Sequence, residues 1–154
     1  MTNNVIFRDI TASDLPILFE QQADPESSAM AAFPSRDRET FDAHWAKIMA
    51  NETVIIKIIE VDGQVAGHLV SWEVEGGREV GYWLGKELWG KGIATKALSQ
   101  FLDVVKTRPL SAHAAKHNIG SRRVLEKCGF TVVGEAKYMN RGNEEVDEFV
   151  FKLV

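Results

Sequence analysis

Three β-branched runs joined by glycine turns occupy the middle of this chain, and they restrict its fold more than any other feature. Residues 53–61 read TVIIKIIEV, 64–74 read QVAGHLVSWEV and 78–84 read REVGYWL. Val, Ile and aromatic residues favour the pleated, half-buried surface of a strand. Asp62-Gly63 and Glu75-Gly76-Gly77, which separate the runs, are hairpin signals. Connections this short cannot cross over to a parallel neighbour, so the three strands form an antiparallel meander. The meander runs directly into LGKELWGKGIATKAL, residues 84–98, where glycines give way to helical spacing.

The flanking segments complete the domain. Val5 to Arg8 reads as a short strand, and Thr11 or Ser13 caps a helix carrying Leu15, Ile17, Leu18 and Phe19, with Pro16 tolerated in its first turn. ADPESSAMAAFPS reads as loop or broken helix, and RETFDAHWAKIMAN as a second helix with Phe41, Trp45, Ile48 and Met49 on one face. After the meander, Ile93, Ala97, Leu98, Phe101 and Val105 line one face of a helix that ends before Pro109. LSAHAA is strand-like, Asn118 caps a helix that stops at Gly129, and two last strands meet at Arg141-Gly142-Asn143. The order is β-α-α-β-β-β-α-β-α-β-β. That describes an α+β (α/β) fold, a mostly antiparallel mixed sheet of about seven strands flanked by about four helices.

The 154 residues, 1–154, are expected to form a single domain. The formal net charge of -4 argues against a nucleic-acid binder working by bulk charge, and leans instead towards cationic ligands such as amines. No apolar run is long enough to span a membrane, and the start MTNNVIFRDITASD lacks the pattern of a secretory signal. The single cysteine, Cys128, excludes an internal disulfide and suits a reducing, cytoplasmic setting.

Segment 84–98 half-matches two phosphate-binding patterns. From Gly85 it spells a P-loop, but Gly92 stands where a hydroxyl should bind magnesium, and three hairpin-linked strands precede it. From Gly90 it approaches a dinucleotide fingerprint, with Thr95 at the last glycine position and no acidic residue at the required distance. What both patterns share is physical. Glycines 90 and 92 let the backbone approach a ligand, and the following helix start presents unpaired N–H groups with a positive dipole end. Such a turn can hold a diphosphate without metal, aided by the charge of Lys91 and the hydroxyl of Thr95.

GYWLGKELWGKGIATKAL followed by NIGSRRVLEKCGF resembles the two signature segments of the GNAT superfamily of N-acetyltransferases. The first resembles the acetyl-CoA diphosphate motif Q/R-x-x-G-x-G/A, with Trp89, Gly92 and Ala94 at its defined positions. The second resembles N-x-x-S-x-x-x-L-E-K-x-G-F, carried by Asn118, Ser121, Leu125, Glu126, Lys127, Gly129 and Phe130. The E-V-G-Y-W-L strand and W-G-K-G-I-A-T loop are similar to the branch containing ribosomal-protein N-terminal acetyltransferases. Trp89 departs from the usual Gln or Arg, and its indole offers one donor where a guanidinium offers five.

The resemblance implies acetyl transfer from acetyl-CoA to a primary amine, a small molecule or a protein N-terminus, by direct attack in a ternary complex, with no metal. The expected coenzyme contacts are Trp83, Leu84, Trp89, Gly90, Lys91, Gly92, Ile93, Ala94, Thr95, Asn118, Ser121 and Arg122. Backbone N–H groups near Trp83 and Leu84 would meet the acetyl oxygen, and Ser121 would donate to the departing thiolate. The tyrosine that many members carry seven residues after the asparagine is replaced by Leu125, so Ser121 or water takes the acid role. Glu79 and His113 compete as general base, with bulk water as the third option. Strand alternation places Glu79 on the face opposite Tyr82 unless a β-bulge shifts the parity. The first two helices, their loop and the final hairpin would enclose the acceptor, with residues 23–38 as a lid. Homodimers are common in the superfamily. A non-catalytic acyl-CoA-binding or sensing domain is the alternative.

Three features have plainer explanations. Cys128 reads as a small buried hydrophobe rather than a nucleophile. His113 and His117 lack the neighbours of a zinc motif. Phe41, Trp45 and Met49 read as core.

Overall fold

The computed structural model describes residues 4–154; Met1 to Asn3, where the reading of the chain's start falls, lie outside them. Strand β1 (Val5–Asp9) leads through a 3-10 turn at Ala12–Asp14 into helix α1 (Leu15–Ala23). Helices α2 (Pro25–Ala31) and α3 (Arg38–Ala50) follow, then the meander β2 (Ile55–Val61), β3 (Gln64–Val74) and β4 (Gly77–Leu84). Helix α4 (Ile93–Val104), strand β5 (Leu110–Ala115), helix α5 (Ile119–Lys127) and strands β6 (Thr131–Met139) and β7 (Glu145–Leu153) complete the chain.

The order matches the expectation except for α2, which makes five helices rather than about four. Its residues, PESSAMA, have no apolar period, so hydrophobic spacing is silent there. Capping explains it instead. The Asp24 carboxylate accepts from the Ser27 N–H at 2.9 Å, and Pro25 occupies the first helical position.

All strands join one seven-stranded sheet in the order β1-β2-β3-β4-β5-β7-β6. Period-two alternation divides the core between its faces. Ile56 and Ile58 of β2 meet Leu18 of α1 and Phe41 and Trp45 of α3. On the opposite face, Ile59, Leu69, Val80 and Leu84 meet Ile93, Ala97, Leu98 and Phe101 of α4, with Leu125 of α5. The apolar stripe legible in α4 is therefore what seats its N-terminus beside the end of β4.

One joint in the sheet matters for function. Strands β4 and β5 are parallel and pair only at Arg78↔Leu110 and Glu79↔Ser111. Beyond that point they diverge, because β5 is held by β7 through six consecutive pairs while β4 follows β3. Arg78 pins the closed end, donating from Nε to Ser71 Oγ at 3.0 Å and from Nη2 to the Ser71 carbonyl at 3.0 Å. Gly67, opposite Leu84, permits the close approach of β3 at the open end. A Cβ there would collide with the Trp83 carbonyl oxygen.

Candidate active site

The divergence of β4 from β5 opens a cleft of about 510 Å³. Tyr82, Trp83 and Leu84 form its floor, the turn from Leu88 to Thr95 one wall, α5 from Asn118 to Val124 another, and Ser27, Met30 and Ala31 of α2 its cover. Lys86 ties the turn to the cover, with Nζ 2.9 Å from Asp24 Oδ1 and 3.6 Å from Glu26 Oε2.

Gly90 and Gly92 take φ of 75° and 79°, and Gly92 is the N-cap of α4. Left-handed backbone at those positions turns the chain sharply from the end of β4 into the helix. Among the described residues from Gly90 onward, the first amide to find a backbone partner is that of Lys96, which donates to the Gly92 carbonyl at 3.1 Å. The N–H groups of Gly90 through Thr95 therefore remain available beside the cleft, at the positive end of a twelve-residue helix.

Trp89 serves the turn itself. Its indole N–H donates to the Leu84 carbonyl at 2.9 Å, bracing the loop against β4, so this donor is not free for a phosphate. Lys91 is exposed and does not line the cleft. Arg122 also points elsewhere: its guanidinium stacks 4.6 Å from the Phe149 ring and donates to the Lys116 carbonyl at 3.0 Å. The neighbouring Arg123 lines the cleft instead. One residue along a helix rotates a side chain by about 100°, so the expected contact moves from Arg122 to its neighbour.

Asn118 caps α5 by accepting the Ser121 N–H at 3.1 Å. That cap turns the Ser121 hydroxyl into the cleft, where the Tyr82 hydroxyl lies 3.2 Å away and donates to it. Burial pushes the Tyr82 phenol up, against the opposing pull of the Ser121 hydrogen bond, so it stays protonated and a donor at neutral pH. The contact that gives Tyr82 its place beside Ser121 spans 39 positions, so no local signal in the sequence marks it. Trp83 lines the cleft, and its ring meets the Phe33 ring edge-on at 6.2 Å.

Glu79 and His113 are brought together, but outside the cleft lining. No bulge interrupts β4, whose register with β3 is continuous, so Glu79 keeps the parity opposite Tyr82. His113 Nε2 is 3.2 Å from Glu79 Oε1, and Nδ1 is 2.7 Å from Glu148 Oε1 of β7. The Glu79 hydrogen bond, with Glu148 and against partial burial, raises the imidazole to about 9. At neutral pH it is an imidazolium with both nitrogens engaged, which leaves no lone pair for a substrate proton. The geometry makes this group a clasp across β4, β5 and β7 at the point where the sheet divides.

A raised folded-state pKa stabilises the fold fully below the ordinary value of 6.5, and that contribution is lost as pH rises through about 9. Discounted because the side chain is about a third exposed, the unfolding free energy should drop by about 1 kcal/mol across this window. Denaturant titrations at both ends of the window should show the drop in the wild type and lose it in His113→Gln. An unchanged slope in the variant would exclude the clasp.

A second cavity, of about 560 Å³, lies between the end of α2, the loop after it, and the β6–β7 hairpin. Ala29, Phe33, Lys116, His117, Glu144 and Asp147 are among its walls. The stretch 23–38 and the final hairpin were expected to enclose an acceptor and both contribute walls, whereas α1 and α3, expected beside them, do not line this cavity.

Residues 4–131 match the model of the acetyltransferase (GNAT) domain. The chain belongs to the GNAT acetyltransferase family. Among proteins of this kind, it is 31% identical over 107 residues to "Putative ribosomal N-acetyltransferase YdaF" of Bacillus subtilis (strain 168), an alignment covering 65% of this chain and 58% of that relative's length. Solved GNAT structures share the fold. A Bacillus anthracis GNAT acetyltransferase superposes with a TM-score of 0.82 at 21% identity, covering 97% of this chain and 94% of the other. A ribosomal-protein-alanine N-acetyltransferase from Brucella melitensis gives 0.81 at 19% identity, covering 97% and 99%. Spermidine N-acetyltransferase from Vibrio cholerae, solved with CoA and spermine, gives 0.80 at 16% identity, covering 96% and 94%. No helix among the described residues is long and apolar enough to cross a membrane.

Proposed function

We propose that this GNAT chain is an acetyl-CoA-dependent N-acetyltransferase whose acceptor is a primary amine. The observation that carries this reading is the run of unpartnered amides from Gly90 to Thr95, opening on a cleft that also contains the Ser121 hydroxyl and the free end of β4. Backbone donors at a helix start suit the coenzyme's diphosphate without metal. The acyl arm would then run along the gap between β4 and α5, with its thioester near the end of β4.

The amine nitrogen attacks the thioester carbonyl, an oxyanion develops, and the C–S bond breaks. Main-chain N–H groups of β4 left free by the divergence from β5 would stabilise the oxyanion. Ser121 would donate its proton towards the departing sulfur. Tyr82 donates to Ser121 Oγ and so leaves the serine hydrogen free to point at that sulfur. Tyr82 is thus a positioning residue, and it supplies part of what a tyrosine at position 125 would otherwise provide.

Calorimetry with acetyl-CoA, followed by coenzyme A release with a panel of amines, tests the reading. Binding with amine-dependent release is the expected outcome. Binding without release would instead favour an acyl-CoA sensor, and no binding would overturn both. In the same assay Tyr82→Phe should lower kcat about tenfold at unchanged acetyl-CoA affinity. An unaltered kcat would remove Tyr82 from the mechanism.

A further inference from the structure

A transferase needs a group that takes the proton of the incoming ammonium, and the cleft lining contains neither Glu79 nor His113. It does contain His117. This is also the residue that lines both the coenzyme cleft and the second cavity. It follows β5 and precedes the Asn118 cap, so its backbone is held on both sides by ordered structure.

The imidazole is oriented by α2. His117 Nε2 lies 3.0 Å from the Ala29 carbonyl. A carbonyl can only accept, so Nε2 carries the hydrogen. In the neutral ring the remaining nitrogen, Nδ1, is then an acceptor. Glu144, Glu145 and Asp147 line the second cavity with Lys116; Lys137 lies 3.6 Å from Glu145 and 3.7 Å from Asp147, so the three carboxylates outnumber the two lysines and favour a cationic guest. An amine crossing that cavity would therefore travel as ammonium and would have to shed its proton at the boundary with the cleft.

We propose that His117 is the general base of the reaction, and that the acceptor amine reaches the thioester from the second cavity past this side chain. The inference rests on the transferase reading. His117 Nδ1 takes one proton from the ammonium. The neutral nitrogen then forms the N–C bond, the C–S bond breaks, and the proton shed by nitrogen on becoming an amide ends on the sulfur.

The test uses His117→Gln, whose side-chain amide can still donate to the Ala29 carbonyl but cannot take a proton. Two acceptor classes are compared at neutral pH: strongly basic amines (spermidine, a peptide with N-terminal alanine) and the weakly basic trifluoroethylamine, which is already unprotonated. Acetyl-CoA affinity should stay within about twofold, kcat should fall at least about thirtyfold with the strongly basic class, and the loss should shrink to a few-fold with trifluoroethylamine. Equal losses with both classes would mean that the ring only shapes the site, and no loss would mean that it does nothing; either overturns the proposal. If the wild type binds acetyl-CoA but releases no coenzyme A with any amine, the transferase reading fails and this inference with it. Wild-type turnover with an unimpaired variant sinks this inference alone.

Discussion

Gly92→Val should weaken acetyl-CoA binding by about a hundredfold, equivalent to about 2.7 kcal/mol, while leaving the protein folded. Gly92 stands at φ 79° as the N-cap of α4. A β-branched residue in left-handed backbone costs about 1–3 kcal/mol, and the chain can relieve that strain by rotating the turn to negative φ. Rotation swings the neighbouring peptide planes, so the Gly92 and Ile93 amides no longer point where their neighbours do. Each lost hydrogen bond to a charged oxygen is worth about 1.5–3 kcal/mol, so one or two misdirected amides account for the expected effect. A Cβ at Gly92 meets no protein atom within 4 Å, so overpacking does not confuse the result. Calorimetry reads the dissociation constant directly, and a value within threefold of wild type would remove the amide cradle from the explanation.

Phe101→Ala should separate stability from binding in the opposite direction. Phe101 is fully buried on the sheet-facing side of α4, within the cluster that includes Leu98, Leu69 and Phe151. Truncation removes most of a ring and leaves a cavity that neighbouring β-strands cannot fill, which places the loss at about 3–5 kcal/mol. The denaturation midpoint should fall with an unchanged slope, because native and unfolded surfaces stay nearly the same. The cradle lies at the other end of the helix, so the folded fraction should bind acetyl-CoA within about threefold of wild type. A loss below about 1 kcal/mol would mean that α4 is not anchored through this side chain.

Much of the architecture was legible because its signals are short-range. Asp62-Gly63 and the glycines at 76 and 77 could be read as hairpins without knowledge of the rest of the chain; the register of β3 with β4 follows from its turn, whereas that of β2 with β3 shifts by one residue between Ile59 and Glu60. The stripe through Ile93, Ala97, Leu98 and Phe101 identified the buried face of α4, and Asn118 could be read as the cap that it is. Helix α2, read as loop or broken helix, carries its signal in Asp24-Pro25 rather than in hydrophobic spacing. The site was less accessible. Alternation correctly put Glu79 opposite Tyr82, yet nothing local says that Glu79 and Glu148 hold His113 between them. Arg122, expected at the coenzyme, is held by the Phe149 ring, and Arg123 lines the cleft in its place.

The amino-acid order by itself determined where the chain turns, which faces of its strands and helices are apolar, and where a helix begins with its amides unpaired. Each of these depends on dihedral preferences and contacts within a few residues. Only the tertiary structure decided that β4 parts from β5 after Glu79, that Tyr82 reaches Ser121, and that His117 stands between two cavities. Those outcomes arise from competition between strands for partners and from the direction of side chains on separately folded elements. Such quantities exist only once distant segments have packed against each other.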